Sequence, residues 1–158
     1  MNLLSSLVEA WNINCRVTLA VLDHLPDEAL AATLSTRGGR RVYDQLAHLH
    51  NVRLSWLEHH GGKAALGDLI PLTRDEHPDR NRLRGALEAS GAAQAALLAR
   101  AVENEGQVKG FKRDVVSWLG YTIAHEAHHR GNILLTARQC GFKLPDELKW
   151  NIWDWGKI

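Results

Sequence analysis

The stretch "DVVSWLGYTIAHEAHHRGNILLTARQ", residues 114–139, combines helical periodicity with a cluster of polar, metal-binding side-chain types. An α-helix turns by about 100° per residue, so apolar residues three and four positions apart gather on one face. The residues on that face are Val115, Leu119, Thr122, Ile133, Ala137 and Cys140. We therefore predict a long core-facing helix over about 114–139, with Gly141 as its C-terminal stop.

The histidines of this helix fall into two groups. Relative to Val115, His129 lies about 40° and His125 about 80° to one side, whereas His128 lies about 140° away and is predicted to face solvent. His125 and His129 are four residues apart, which is the usual way for one helix to offer two nitrogens to a metal ion. The pattern thus favours a metal site over two histidines that are merely hydrogen-bonded at the edge of the core.

Three further stretches have helical periodicity. We predict helices over residues 4–22, where Pro26 follows the end, over about 41–60, and over about 79–104. Residues 63–80 form a long connection broken by glycine and proline, and a short helical turn is predicted within residues 26–34. With no strand pattern in the sequence, we predict an all-α four-helix bundle with one long connection, folded as a single domain over residues 1–158.

Two histidines rarely suffice for a metal, so a third ligand is expected from the second helix. The candidates there are His48, His50, His59 and His60. His59 and His60 lie at the fraying end, while His48 and His50 flank the apolar stripe on opposite sides. The helical wheel slightly prefers His50, because Tyr43 and Leu54 widen the apolar arc on that side.

Composition excludes several functional classes. The chain of 158 residues has a net charge of +1, which gives no support for nucleic-acid binding. Cys15 and Cys140 lack CxxC spacing and lie on apolar stripes, so we predict two buried thiols without a disulfide. The N-terminal stretch reads as an amphipathic helix rather than a signal peptide or membrane span, and the expected location is cytoplasmic.

Three segments carry a resemblance to a known family. They are "AHLHNVRLSWL" (residues 47–57), "GYTIAHEAHHRGNI" (120–133) and "LPDELKWNIWDWGK" (144–157). Together they resemble the DinB/YfiT-like superfamily over essentially the whole chain. The resemblance implies an up-down-down-up four-helix bundle with one long crossover connection, often assembled as a homodimer.

The resemblance also implies a ligand set. Members bind a divalent metal through one histidine of the second helix and an H-x-x-x-H pair of the last helix. On this chain the corresponding residues are His48, His125 and His129, and the choice of His48 overrides the preference of the wheel for His50. The glutamine that usually follows "HRG" is replaced by Asn132, which puts the polar contacts of that position in doubt.

Three imidazoles suit zinc or nickel, and suit iron or manganese less well. Three protein ligands leave coordination positions open for substrate, as in a catalytic site. The resemblance implies a metal-dependent enzyme acting on a small molecule, by thiol transfer with a low-molecular-weight thiol or by hydrolysis. The alternative is a non-catalytic, stress-associated protein in which metal stabilises a homodimer.

The neighbours of the histidines have competing interpretations. Glu126 is a candidate general base, but we favour an ion pair with Arg130, four residues further on. Arg130 is in turn a candidate for binding an anionic substrate. For Arg53 we expect a buried stem with a solvated head.

Residues 125–129 also match the H-E-x-x-H motif of zinc proteases. We do not favour a protease, because Gly131 falls one residue too early for the extended motif and no edge strand is predicted to hold a peptide.

Overall fold

Helices account for all the regular secondary structure in the computed structural model, which describes residues 2–158. The elements are α1 (Leu3–His24), α2 (Val42–Gly61), α3 (Arg80–Glu103), α4 (Val115–Gln139) and a short α5 (Asp146–Asn151). The four predicted helices are confirmed to within two residues at each end. The sequence pattern did not predict α5, whose six residues are too few to establish a period.

Side chains at the helix ends explain why the helices begin and stop where they do. The carboxylates of Asp79 and Asp114 accept hydrogen bonds of 2.8 Å from the backbone N–H groups of Arg82 and Ser117, which caps α3 and α4. After α2, Gly62 adopts a φ of 73°, a left-handed conformation that costs glycine little. The boundaries of the site-bearing helices therefore follow from local chemistry.

The four long helices pack with α1 and α2 at opposite corners. Each of these two helices packs against both α3 and α4. The predicted long connection between α2 and α3 contains two short 3-10 turns, Lys63–Leu66 and Arg74–Glu76, and a further 3-10 turn, Asp27–Ala31, follows α1. This arrangement places α2 directly beside α4, so their histidines can meet.

The interior contains two apolar clusters. One includes Leu22, Leu46, Leu49, Leu83, Leu87 and Ile133. The other includes Trp11, Leu57, Leu97, Leu98, Trp118 and Leu119. On each long helix, buried polar residues fall between the members of the two clusters.

We call these buried residues the polar layer: Asn14, Thr18, Arg53, Ser90, Gln94 and Glu126. At its centre, Nε and Nη2 of Arg53 donate to the two carboxylate oxygens of Glu126 at 2.7 and 2.9 Å. Asn14 donates to the same carboxylate at 2.7 Å, and Arg53 also donates to the carbonyl of Leu87 at 2.7 Å. The polar layer thus joins all four long helices through hydrogen bonds to a single charge pair.

Two expectations about burial are wrong. The head of Arg53 is not solvated, because the whole side chain is only 2% exposed and its charge is compensated by Glu126. Cys140 is exposed rather than buried. Helix α4 ends at Gln139, so Cys140 is its C-terminal cap and no longer follows the helical stripe. Cys15 is partly buried, and both thiols are free as predicted.

No helix within residues 2–158 has the length and hydropathy needed to cross a membrane.

The polar layer leads to a first prediction, on stability. Replacing Arg53 by methionine leaves the Glu126 carboxylate buried without its partner, and such losses cost about 3–5 kcal/mol. The free energy of unfolding, measured by urea titration with circular dichroism as the signal, should decrease by this amount. The matched control is Arg84→Met, which removes half-exposed ion pairs with Asp23 and Glu88 and should change the free energy of unfolding by about 1 kcal/mol or less. Equal losses in the two variants would contradict the role assigned to Arg53.

Candidate metal centre

His48, His125 and His129 come together between α2 and α4. The ring centroids are 5.4 Å apart for His48 and His125, 4.8 Å for His48 and His129, and 4.8 Å for His125 and His129. One ring nitrogen of each residue lies within 4.8 Å of the corresponding nitrogens of the other two. The structure therefore brings together, from two helices, the three residues that the resemblance implied.

The donor set and its spacing fit a divalent transition metal. Imidazole nitrogens are good ligands for zinc, nickel and iron. Around a tetrahedral zinc at about 2.0–2.1 Å from each nitrogen, the nitrogens would be about 3.4 Å apart. The ring nitrogens lie within 4.8 Å of one another, so the most distant of them must move closer together to bind such an ion. We call His48, His125 and His129 the histidine triad.

The geometry of α2 and α4 explains why His48, His125 and His129 lie close together. His125 and His129 are one turn apart on the same side of α4, and Glu126 between them points into the polar layer. Its partner Arg53 lies on α2, five residues after His48. The buried charge pair therefore fixes the register of α2 against α4 next to the triad.

A side chain that the sequence analysis missed supports His129. Nδ1 of His129 lies 3.5 Å from Oε1 of the buried Gln45. With the proton on Nδ1, the ring donates to Gln45, and Nε2 is left unprotonated as a metal ligand requires. The spacing of Gln45 in the sequence could have identified it. Gln45 precedes His48 by three residues and therefore lies on the same side of α2.

The electrostatics keep the triad neutral. Burial, followed by the nearby charges of His125, His48, His128 and Arg40, lowers the pKa of His129 to about 4. Burial is also the main cause that lowers the pKa of His48 and of His125 below the ordinary value, and Arg40 contributes in both cases. Neutral imidazoles are the form that binds metals, so the folded chain maintains this form at neutral pH.

Two cavities adjoin the triad. The first, of about 340 Å³, is lined by His48 together with Arg40, Asp44 and Asn51. The second, of about 350 Å³, is lined by His129 together with Arg40 and Gln45. Both are large enough for a small molecule to approach the triad.

An aromatic surface borders His125. The ring of Tyr121 stacks on His125 with centroids 6.3 Å apart and an interplanar angle of 19°. Tyr121 in turn contacts Trp56 and Phe111, at centroid distances of 6.1 and 5.6 Å. The triad thus has an apolar wall on this side, which adds to the burial of His125.

Glu126 and Arg130 make their hydrogen bonds with residues outside the triad. Both oxygens of Glu126 accept from Arg53, and Arg130 lies 3.8 Å from the same carboxylate. Arg130 also donates to Asn14 at 2.8 Å and to Thr18 at 2.9 Å, both on α1. These placements favour the ion-pair interpretation of Glu126, with Arg53 as its main partner, and give Arg130 a structural set of partners.

The other histidines have different environments. His50 is buried, and its two ring nitrogens lie 2.9 Å from the carbonyl oxygens of Ala86 and Ile70. Its inward position on the wheel is therefore explained by backbone contacts. His128 is exposed, and its Nε2 accepts a hydrogen bond of 3.0 Å from the amide of Asn132. Asn132 thus makes a surface contact within α4.

Residues 1–150 match the family model described as the DinB family. The chain belongs to the DinB family. No curated protein sequence is significantly similar to it. The match includes α1–α4 and all three triad histidines, so the predicted family membership is confirmed.

The lowered pKa of His129 predicts how the stability of this DinB-family protein depends on pH. Its folded pKa of about 4 lies below the unfolded value of about 6.5, so the unfolded state binds the proton first as pH falls. In metal-free protein, the free energy of unfolding should therefore decrease as pH falls from about 6.5 to about 4. His129→Gln should reduce this decrease, whereas His59→Gln, at the exposed end of α2, should not. If His129→Gln and wild type showed the same pH dependence of stability, the role assigned to the lowered pKa of His129 would be contradicted.

Proposed function

We propose that this protein is a metal-dependent enzyme in which His48, His125 and His129 bind one divalent cation. Zinc and nickel suit three imidazoles best, and iron and manganese are the alternatives. The observation that carries the proposal is the convergence of the three ring nitrogens within 4.8 Å beside two cavities. Within the family fold we retain the up-down-down-up helix order and the long crossover connection as parts of the proposal.

Three protein ligands leave room for a substrate, and the two cavities supply the space. A divalent metal held by neutral imidazoles acts as a Lewis acid and lowers the pKa of a coordinated water or thiol. The reaction classes that use this chemistry here are transfer to a low-molecular-weight thiol and hydrolysis. The substrate is a small molecule.

Other residues of the chain position the proposed metal ligands. Gln45 orients the ring of His129, and the Arg53–Glu126 pair aligns the two ligand-bearing helices. Cys15 is unsuited to act as a nucleophile, because burial raises the pKa of its thiol to about 11. Glu126, whose two oxygens accept from Arg53, is better suited to positioning than to proton transfer. The nucleophile would therefore be a water or a low-molecular-weight thiol that the metal binds, in place of a side chain of the protein.

The metal site predicts a defined metal content. Protein purified without a histidine tag and reloaded with zinc, nickel or manganese should hold about one metal ion per chain, measured by elemental analysis. His48→Ala and His125→Ala should each lose it, because two imidazoles bind too weakly to retain the ion. Circular dichroism of each variant shows whether it remains folded.

Two control variants make this experiment specific. His128→Ala removes an exposed histidine next to His129 and should keep the metal, and His50→Gln tests the other candidate on α2. A wild-type protein that holds no metal after reloading would refute the proposal. Retention in His48→Ala combined with loss in His50→Gln would move the third ligand to His50.

The second candidate function is a non-catalytic metal-stabilised homodimer. It is favoured by the tail, where Trp150 and Trp153 are each 75% exposed and Trp155 is 52% exposed. Neighbouring exposed tryptophans of this kind are typical of protein interfaces. The tail tryptophans are therefore suited to a dimer contact.

Sedimentation velocity distinguishes the two functions. We expect a dimer that becomes a monomer in a Trp150→Ser/Trp153→Ser double variant, because the interface loses its aromatic anchors. If the metal serves only assembly, its removal should also produce monomers; if it serves catalysis, the metal-free protein should remain dimeric. A wild-type monomer at all concentrations would refute the dimer.

A further inference from the structure

Arg40 lines two cavities that each adjoin the histidine triad. It follows Gly39 in the loop before α2 and lines the cavity of about 340 Å³ that includes His48. It also lines the cavity of about 350 Å³ that includes His129. Among residues 2–158, Arg40 is the one residue shared by these two cavities, and its charge contributes to the lowered pKa values of His48, His125 and His129.

The charge of Arg40 has no protein partner within residues 2–158. No carboxylate lies within 4.0 Å of its guanidinium, although nine other ion pairs form in the same structure. Its neighbours differ in this respect. Arg41 contacts the hydroxyl of Tyr43, and Arg74 donates to the carbonyl of Gly38 at 3.2 Å and lies 3.8 Å from Asp44.

We propose that Arg40 binds the carboxylate of a small anionic substrate at the histidine triad. This inference rests on the proposed function, because it assigns a substrate class to the same site. The substrate is then a molecule with a carboxylate at one end and a metal-binding group, such as a thiol, at the other. Arg40 takes the anion-binding role that sequence considerations had suggested for Arg130, whose guanidinium is engaged with Asn14 and Thr18.

The surroundings favour a carboxylate over a more highly charged anion. The planar guanidinium of arginine matches a carboxylate with two parallel hydrogen bonds. Asp44 lines the same cavity, and its negative charge would repel a dianionic phosphate more than a monoanion. The carboxylate of Asp44 is itself occupied, since it accepts from the backbone N–H of Arg41 at 2.8 Å.

Isothermal titration calorimetry with two matched thiols tests this assignment. The zinc-loaded protein is titrated with mercaptopropionate and with mercaptopropionamide, which differ in charge but hardly in shape. We expect the carboxylate ligand to bind about two- to fivefold more tightly, as an ion pair with the exposed Arg40 would provide. Raising the ionic strength should reduce this preference.

Two variants identify the residue responsible. Arg40→Gln should bind both thiols equally, and Arg37→Gln should keep the preference, because Arg37 is an exposed arginine of the same loop that lines neither cavity. Elemental analysis after each titration verifies that zinc is retained. The substitution lies in an exposed loop, so circular dichroism should show an unchanged fold.

The outcomes separate the two proposals. A preference for the carboxylate that disappears only in Arg40→Gln supports the inference. A zinc-loaded protein that shows no preference, or the same preference in Arg40→Gln, overturns the inference and leaves the metal centre intact. A wild-type protein that retains no metal after reloading with zinc, nickel or manganese overturns the proposed function, and with it the substrate class assigned to the site.

Discussion

The buried pair of Arg53 and Glu126 is the interaction on which the rest of the structure depends. Both side chains are at most 3% exposed, so each charge would be strongly destabilising without the other. The guanidinium fits because Gly91 on α3 has no side chain; a Cβ there would lie 3.2 Å from Nη1 of Arg53 and 3.0 Å from Sγ of Cys15. A shift of α4 by one turn would separate the pair, and the same alignment places His125 and His129 opposite His48.

Much of the fold was predictable because it depends on local chemistry. Periodicity and capping residues such as Asp79 and Asp114 determine the four helices within short stretches of chain. The pairing of His125 with His129 is equally local, since it needs only one turn of helix. The loop length between α2 and α3 was also visible, because its prolines and glycines interrupt the pattern.

The third histidine of the triad could not be identified from the helical wheel. The wheel measures how far a side chain points inward, and His50 does point inward, but toward the carbonyls of Ala86 and Ile70. Which side of α2 faces α4 depends on the packing of all four helices, and no pattern within α2 contains that information. Only the resemblance to the family selected His48. The buried head of Arg53 was missed for the same reason, because its partner lies 73 residues away.

A small bundle must hold its helices in alignment and must also leave cavities open beside the triad, and these two requirements conflict. The polar layer meets the first of them. A candidate metal site beside cavities cannot be closed by tight apolar packing, so its helices need another source of alignment. Directional, charge-assisted hydrogen bonds provide this alignment, because Glu126, which directly follows His125 on α4, pairs with Arg53 on α2. The glutamate of the H-E-x-x-H pattern then holds the helices in register, in contrast to the general base of a zinc protease. This structural role of Glu126 explains how the motif can occur in a four-helix bundle without implying peptide hydrolysis.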